Sequence, residues 1–247
     1  MKAILAVALL LCILGMPVLA DWEPTEPHKM HYPQLPDPMG WDVRFDTLNR
    51  VADDWQCTES GPVSEIHFWT SWQGDIIGGI NSVHARIYSD QPQDGLNPFS
   101  HPKDELWEQT FLGADISIRD AGVGDQGWYD PNEPGWNRPD HALYQQVNIE
   151  NIVEPFEQVE GTIYWLELEL AVEGGMIGWK TSQEHFNDDS VYWESGVGWM
   201  ELIDPMDGAT SLDQAFVIVP EPLSAAFAMG AVALLLLCRR LFHCNET

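Results

Sequence analysis

Basic residues are scarce in this sequence. Its 247 residues include 11 Lys and Arg against 39 Asp and Glu, which gives a formal net charge of −28 and a pI of about 4.2. Such a surface would repel phosphates and anionic lipid headgroups. We therefore expect neither nucleic-acid binding nor docking to an anionic membrane surface.

Cysteine is also scarce, since the chain has only four. Cys12 lies in an N-terminal apolar segment, and Cys238 and Cys244 lie close to the C-terminus. If both ends are removed, Cys57 is the single cysteine left, which excludes an intramolecular disulfide. We expect Cys57 to be buried beside Trp55, the alternative being a disulfide between two chains.

Signatures of common enzymes are missing as well. The chain has no Gly-x-Ser-x-Gly nucleophile elbow, no His-Glu-x-x-His zinc motif and no phosphate-binding loop. Carboxylate pairs of the kind used in glycoside hydrolysis arise by chance among so many acidic residues, so they carry no specific signal. The sequence therefore predicts no catalytic residue and no enzyme.

Aromatic residues, by contrast, are abundant, with 12 Trp and 9 Phe. This content indicates a packed core, which we expect to include Trp55, Trp69, Trp72, Trp107 and Trp165. Five prolines between residues 22 and 40 exclude a helix there and indicate an extended lead-in.

Short β-rich segments separated by Gly, Pro, Asn and Asp fill the rest of the chain to residue 219. From Leu166 onward, apolar and acidic residues alternate with the period of a strand that has one wet face. Segments of this length and spacing predict an all-β fold, an antiparallel β-sandwich resembling a jelly roll. The predicted strands are Val63–Trp72, Val83–Tyr88, Glu105–Leu112, Asp115–Arg119, Leu143–Ile152, Thr162–Val172, Met176–Lys180, Val191–Trp193, Trp199–Leu202 and Ala215–Val219.

The two ends carry targeting features. Residues 1–20 combine Lys2, an apolar run and a small-residue pattern ending at Ala20, which predicts a secretory signal peptide. Pro220, Glu221 and Pro222 precede an apolar run over 223–238, which predicts a short transmembrane helix. Arg239 and Arg240 follow and predict a cytoplasmic tail.

This C-terminal arrangement resembles the PEP-CTERM sorting signal of Gram-negative bacteria. The resemblance implies recognition by an exosortase-type transpeptidase, with an inner-membrane-anchored precursor that is then delivered to the cell surface or the exopolysaccharide matrix. The alternative is a plain single-pass membrane-anchored ectodomain.

The central part of the chain resembles an uncharacterised β-sandwich family found in PEP-CTERM proteins. The resemblance covers roughly residues 41–219 and implies an extracellular sandwich without a named activity. It rests on the segments Ala52-Asp53-Asp54-Trp55-Gln56-Cys57, Ile66-His67-Phe68-Trp69, Pro98-Phe99-Ser100-His101-Pro102, Gly161-Thr162-Ile163-Tyr164-Trp165-Leu166, Gly178-Trp179-Lys180-Thr181-Ser182 and Asn187-Asp188-Asp189.

Two kinds of ligand site are suggested by residue type. A predicted loop over residues 120–133 is rich in Asp and Gly, and Asp125 and Asp130 are its candidate calcium ligands, the alternative being a solvated acidic surface. Trp128 and Trp136 lie in or near predicted loops, as does Trp193, and could stack on sugar rings. For each of these Trp residues the alternative is a structural role.

The sequence thus divides into a signal peptide (1–20), a Pro-rich lead-in (21–40), a β-sandwich domain (41–219), a sorting signal (220–240) and a cytoplasmic tail (241–247). We expect an exported, non-catalytic structural or adhesive protein of the surface or matrix that needs no cofactor unless calcium is bound. The alternative is a carbohydrate-binding module that contacts extracellular polysaccharide through its loop Trp residues.

Overall fold

The computed structural model describes residues 22–150 and 152–220. The predicted signal peptide, Glu221, Pro222, the apolar run over 223–238, Arg239 and Arg240 lie outside these residues. Within the two described ranges, no helix is long and apolar enough to cross a membrane.

Fourteen strands and two single-turn 3-10 helices make up the described secondary structure, so the all-β prediction is confirmed. In chain order the strands are β1 Trp41–Arg44, β2 Val51–Gln56, β3 Gly61–Pro62, β4 Glu65–Trp72, β5 Gly79–Gln91, β6 His101–Leu112, β7 Ile116–Tyr129, β8 Trp136–Ile149, β9 Glu157–Gln158, β10 Ile163–Glu173, β11 Ile177–Lys180, β12 Val191–Glu194, β13 Gly198–Glu201 and β14 Phe216–Val219.

The strands form two six-stranded sheets and a small ribbon of β3 and β9. The first sheet has the order β11-β1-β7-β8-β4-β14, and a further pairing of β11 with β4 closes five of its strands into a ring. The second sheet has the order β13-β12-β2-β10-β5-β6. Every pairing is antiparallel, as expected, except that β1 runs parallel to β7.

Both sheets contribute to one apolar core. Trp55 of β2 contacts Phe216 of β14 edge to face across the two sheets, with ring centroids 6.3 Å apart. Leu166 lies on the inner side of β10, whereas Trp165 points to the outer side and packs in a second cluster. Of the five Trp residues predicted to be core, three are buried in the main core, Trp165 is buried in the second cluster, and Trp107 is half-buried against the main core.

The proline-rich lead-in is extended but packs closely on the domain. Trp22 and Met30 are fully buried in the core, and Met30 forms an isolated bridge with Cys57. The described part of the lead-in therefore belongs to the packed domain.

The predicted loop over residues 120–133 is wrong for most of its length. Strand β7 continues to Tyr129, so Asp125 and Trp128 lie in a strand. The glycines that suggested turns serve close packing instead: a Cβ at Gly127 would overlap the Trp41 ring. Strands β1 and β2 were not predicted from the sequence.

Candidate functional site

Two tryptophans face each other across the β12–β13 hairpin. Trp193 and Trp199 are directly paired in the strand register, and their ring centroids are 5.3 Å apart with an interplanar angle of 84°. Trp199 packs against the outer cluster of the second sheet, formed by Ala52, Tyr88, Trp165 and Val191. The pair therefore stands on the outer face of that sheet, away from the main core.

Arg50 supports this pair from the sheet. Its guanidinium carbon lies 5.0 Å from the centroid of each Trp ring, within the range of a cation–π contact. The same guanidinium binds Glu167 through two bonds, Nε to Oε1 at 2.8 Å and Nη2 to Oε2 at 2.7 Å. These hydrogen bonds to Glu167 raise the pKa of Arg50 above its already high ordinary value, so it stays charged.

Glu167 is the anchor of the arrangement. Its side chain is fully buried, and besides Arg50 it accepts hydrogen bonds from the Tyr88 hydroxyl at 2.8 Å and from Arg86 Nη1 at 2.7 Å. Burial, followed by the nearby Glu167 charge, raises the pKa of Tyr88, so the hydroxyl remains a donor. Four side chains thus fix one another before any ligand arrives.

A groove of about 710 Å³ opens beside the two Trp rings. Its walls are mainly apolar and come from the hairpin and from the start of β6 with the preceding loop. The residues that line it are Pro98, Phe99, His101, Pro102, Lys103, Trp193, Val197, Gly198, Trp199 and Met200. Trp193 also lines a second cavity of about 490 Å³ and is 37% exposed.

The loop that forms the far wall is held in place by polar contacts. Trp165 Nε1 donates to Asp90 at 2.9 Å, and the Ser100 backbone N–H donates to Asp188 at 2.7 Å. Phe99, between these two anchors, packs against the outer cluster. The groove is therefore formed by segments that are fixed at both ends, with flat aromatic surface facing solvent.

The structure separates the two tryptophans that the sequence nominated for sugar contact. Trp128 is only 4% exposed, so its predicted place in an accessible loop is wrong. It was misplaced because the surrounding Asp and Gly residues resemble a turn. Trp136 is 41% exposed at the first position of β8, and its ring meets Trp41 edge to face at 5.5 Å.

Asp125 and Asp130, the candidate calcium ligands, are in different settings. Asp125 is exposed on β7, whereas Asp130 is buried and forms an ion pair with Arg44 at 2.9 Å. Across residues 22–150 and 152–220, no group of three His, Cys, Asp or Glu side chains is arranged to hold a metal ion.

Two other acidic segments, distant in the sequence, are brought together. Asn187 Nδ2 donates to Asp54 Oδ2 at 2.5 Å, and Asp54 is fully buried. Burial is the main reason that the pKa values of Asp53, Asp54 and Asp213 are raised, and repulsion from neighbouring carboxylates adds to it. The sequence showed both segments but not their contact.

Cys57 is buried and free, as expected. Its Sγ lies 3.3 Å from the Glu59 carbonyl oxygen, and burial raises the pKa of the thiol. A thiol in this setting is a packing residue that is poorly reactive.

Comparison with known proteins yields a family without an assigned activity. No curated protein matches the chain, and no solved structure matches it. A family model described as a domain of unknown function, DUF7901, matches residues 30–219. This range covers nearly all of the described domain, and the chain therefore belongs to the DUF7901 family.

Proposed function

We propose that this domain is the non-catalytic, glycan-binding part of an exported surface or matrix protein, with the Trp193–Trp199 groove as its binding site. The observation that carries the proposal is the exposed Trp193 ring, held nearly at a right angle to Trp199 above Arg50, which is itself fixed by the buried Glu167. Sugar rings present flat C–H faces that pack on such aromatic surfaces, and a fixed ring loses little conformational entropy on binding.

The lining of the groove supports binding without hydrolysis. Glycoside hydrolases use two carboxyl groups on either side of the scissile bond. Among the groove residues that the structure describes, none is Asp or Glu, and the ionisable side chains are His101 and Lys103. A site of this composition can hold a sugar but has no carboxylate pair to cleave it.

The export half of the proposal rests on the sequence. A signal peptide, the Pro220-Glu221-Pro222 motif, an apolar run and Arg239-Arg240 occur in the order typical of exosortase substrates. We further propose that the two sheets form a sandwich of the jelly-roll type, an architecture common in extracellular binding proteins. The packing of both sheets on one core supports this assignment.

Affinity for a panel of soluble bacterial polysaccharides, measured by calorimetry, tests the binding site. We expect Trp193→Ala to weaken binding about tenfold, equivalent to about 1.4 kcal/mol, because it removes the stacking surface. Trp136→Ala is the matched control, since Trp136 is similarly exposed but lies outside the groove. Loss of binding in Trp136→Ala alone would move the site to Trp136, and no binding by any form would leave the structural matrix role.

The sorting proposal has a separate test. The intact mass of the protein recovered from its native host should correspond to a chain that ends near residues 220–222. A mass that extends to Thr247 would instead indicate a plain membrane-anchored ectodomain.

A further inference from the structure

A sealed cluster of charged side chains lies in the ring of the first sheet. Lys180 Nζ is 3.1 Å from Asp42 Oδ2, and His141 Nε2 is 2.9 Å from the same oxygen. The other ring nitrogen of His141, Nδ1, is 2.9 Å from Asp140 Oδ2. The side chains of Lys180, Asp42 and His141 are fully buried, so this cluster does not contact solvent as the groove does.

The fold forces the lysine and the aspartate together. Asp42 of β1 and Lys180 of β11 are direct partners in the antiparallel register, although 138 residues separate them in the chain. Directly paired residues on neighbouring strands project from the same face of the sheet. Gly178 provides the room they need, because a Cβ at that position would lie 2.8 Å from Asp42 Cβ.

As a simple ion pair, this arrangement is poorly solvated. Two buried charges lose their hydration, and their attraction compensates only when the remaining polar atoms are also bonded. Asp42 Oδ1 meets no donor with hydrogen-bond geometry among the described residues, because the nearby Ser71 hydroxyl donates to Gln126 instead. On its other contact, the Lys180 ammonium lies 5.6 Å from the centroid of the Tyr144 ring, which offers no hydrogen-bond acceptor as strong as a carboxylate. Joining the two side chains as a neutral amide would remove both charges at once.

We propose that Lys180 and Asp42 form an intramolecular isopeptide bond that links strands β1 and β11, with His141 as the catalytic acid. The amine lies in hydrogen-bond contact with an oxygen attached to the carbon it would attack, which is close to a reactive geometry. The strands hold this geometry, so the reaction needs no cofactor and no second protein.

The condensation releases one water. A proton first passes from the Lys180 ammonium to Asp42 Oδ2, which leaves a neutral amine and a carboxylic acid. The Nζ lone pair attacks Cγ and forms the C–N bond. His141 delivers a proton to Oδ2 and takes up in return the second proton that the nitrogen loses. The C–Oδ2 bond then breaks as water leaves, and His141 ends in the protonated form in which it began. No oxidation or reduction takes place.

The electrostatic setting favours two of these roles and opposes one step. Burial acts to raise the pKa of Asp42, but Lys180 and His141 outweigh burial and hold it below its ordinary value, so the proton transfer to Asp42 starts from an ionised pair. Burial lowers the pKa of Lys180, although Asp42 partly offsets this effect, which brings the neutral amine within reach. Burial also acts to lower the pKa of His141, but its hydrogen bonds to Asp42 and Asp140 outweigh burial and raise it. A protonated His141 directed at Oδ2 can therefore act as the acid that the leaving oxygen requires.

Mass spectrometry of the full chain, denatured and digested with protease, tests the bond. We expect a branched peptide that contains both Asp42 and Lys180 and is lighter than its two components by one water. The intact chain should show the same deficit relative to Lys180→Arg, after the substitution itself is accounted for. A guanidinium stays protonated and cannot attack the carboxyl carbon, so Lys180→Arg blocks the reaction while retaining the positive charge.

Two results would overturn the proposal. One is recovery of the Asp42 and Lys180 peptides from the wild type as separate, unmodified species. The other is a water loss that persists in Lys180→Arg, since this would come from another site in the chain. The digest of the wild type decides the question even if Lys180→Arg does not fold. A His141→Ala chain that folds should form the linked peptide at least tenfold more slowly.

Discussion

Asp42 and Glu167 are both fully buried carboxylates held by two cationic side chains, yet they lie in different sheets and hold different partners. Asp42, inside the ring of the first sheet, contacts Lys180 and His141. Glu167, on the outer face of the second sheet, contacts Arg50 and Arg86. The same method of neutralising a buried carboxylate is therefore used twice, with cations of different chemistry.

The difference lies in what each cation can do. A guanidinium stays protonated, binds a carboxylate through two parallel bonds and stacks on aromatic rings, so Arg50 is suited to fixing Trp193 and Trp199. A lysine amine can lose its proton when buried and then becomes a nucleophile. Exposure differs too, since Arg50 is one-third exposed whereas Lys180 is sealed. Glu167 thus supports a surface site, whereas Asp42 lies beside an amine with which it can condense.

The largest expected effect is that of removing the sealed carboxylate. Asp42→Ala would leave Lys180 buried without a counter-charge and would also prevent the proposed link to Lys180, so it should destabilise the domain by at least about 4 kcal/mol in urea unfolding. Asp125→Ala is the control, because Asp125 is an exposed carboxylate on β7 and its loss should change stability by less than about 0.5 kcal/mol. Similar effects of the two substitutions would mean that the Asp42 cluster contributes no more than surface charge.

Glu167→Gln should have the next largest effect, a loss of about 2–3 kcal/mol. The effect is smaller than at Asp42 because the guanidiniums that lose their partner are partly exposed and can be hydrated. Glu108→Gln provides the comparison on the same face, since Glu108 also pairs with Arg86 but is about half-exposed. Unfolding curves of the two variants that coincide would contradict the anchoring role of Glu167.

Much of the second sheet was predictable from local sequence. The alternation of apolar and acidic residues over 166–170 is typical of a strand with one solvent-exposed face, and it correctly predicted β10. In the first sheet, the predicted strand Asp115–Arg119 is the first part of β7, but its continuation to Tyr129 was missed, because Gly127 resembles a turn residue although it packs against the Trp41 ring. A local pattern cannot distinguish a glycine that allows a turn from one that allows a neighbour to approach.

The two sites were less accessible to sequence reasoning. Trp193 and Trp199 flank a short Gly-containing segment, a signal that could have predicted their cross-strand pairing. Arg50 and Glu167 are 117 residues apart, and Asp42 and Lys180 are 138 apart. Such contacts depend on strand order, which no periodicity in a single sequence reveals.

Asp53, Asp54 and Asp213 are buried acids, and within residues 22–150 and 152–220 none of them forms an ion pair with Lys or Arg. The pH dependence of stability that they cause sharpens the comparison. Burial raises the pKa of Asp54, so this residue keeps its proton in the folded state at pH values where the unfolded chain has lost it. The folded state then binds more protons, and the stability contributed by Asp54 is lost as the pH rises above about 4 toward the folded-state value.

Asp54→Asn should weaken this pH dependence. The substitution removes the titrating group but keeps an oxygen that can accept the hydrogen bond from Asn187. Urea unfolding between pH 4.5 and 7.5, a range chosen to lie above the ordinary pKa of about 3.9, should show a smaller fall in stability for the variant than for the wild type. An unchanged slope would show that Asp54 is ionised in the folded domain.

The smallest effect we expect separates the two arginines that share Glu167. Arg50→Lys replaces a two-bond contact with Glu167 by a point charge, and Arg86→Lys replaces a guanidinium whose Nη1 binds both Glu167 and Glu169. Each substitution should destabilise the domain by about 1 kcal/mol. Only Arg50 contacts the two Trp rings. If the groove binds glycan as proposed, Arg50→Lys should also weaken that binding about threefold through loss of the ring contact, whereas Arg86→Lys should not. Equal affinities for the two variants, measured by calorimetry, would mean that Glu167 stabilises the sheet without positioning the tryptophans. In that case Glu167 and Asp42 would differ only in how exposed their cationic partners are, and Glu167 would have no part in ligand binding.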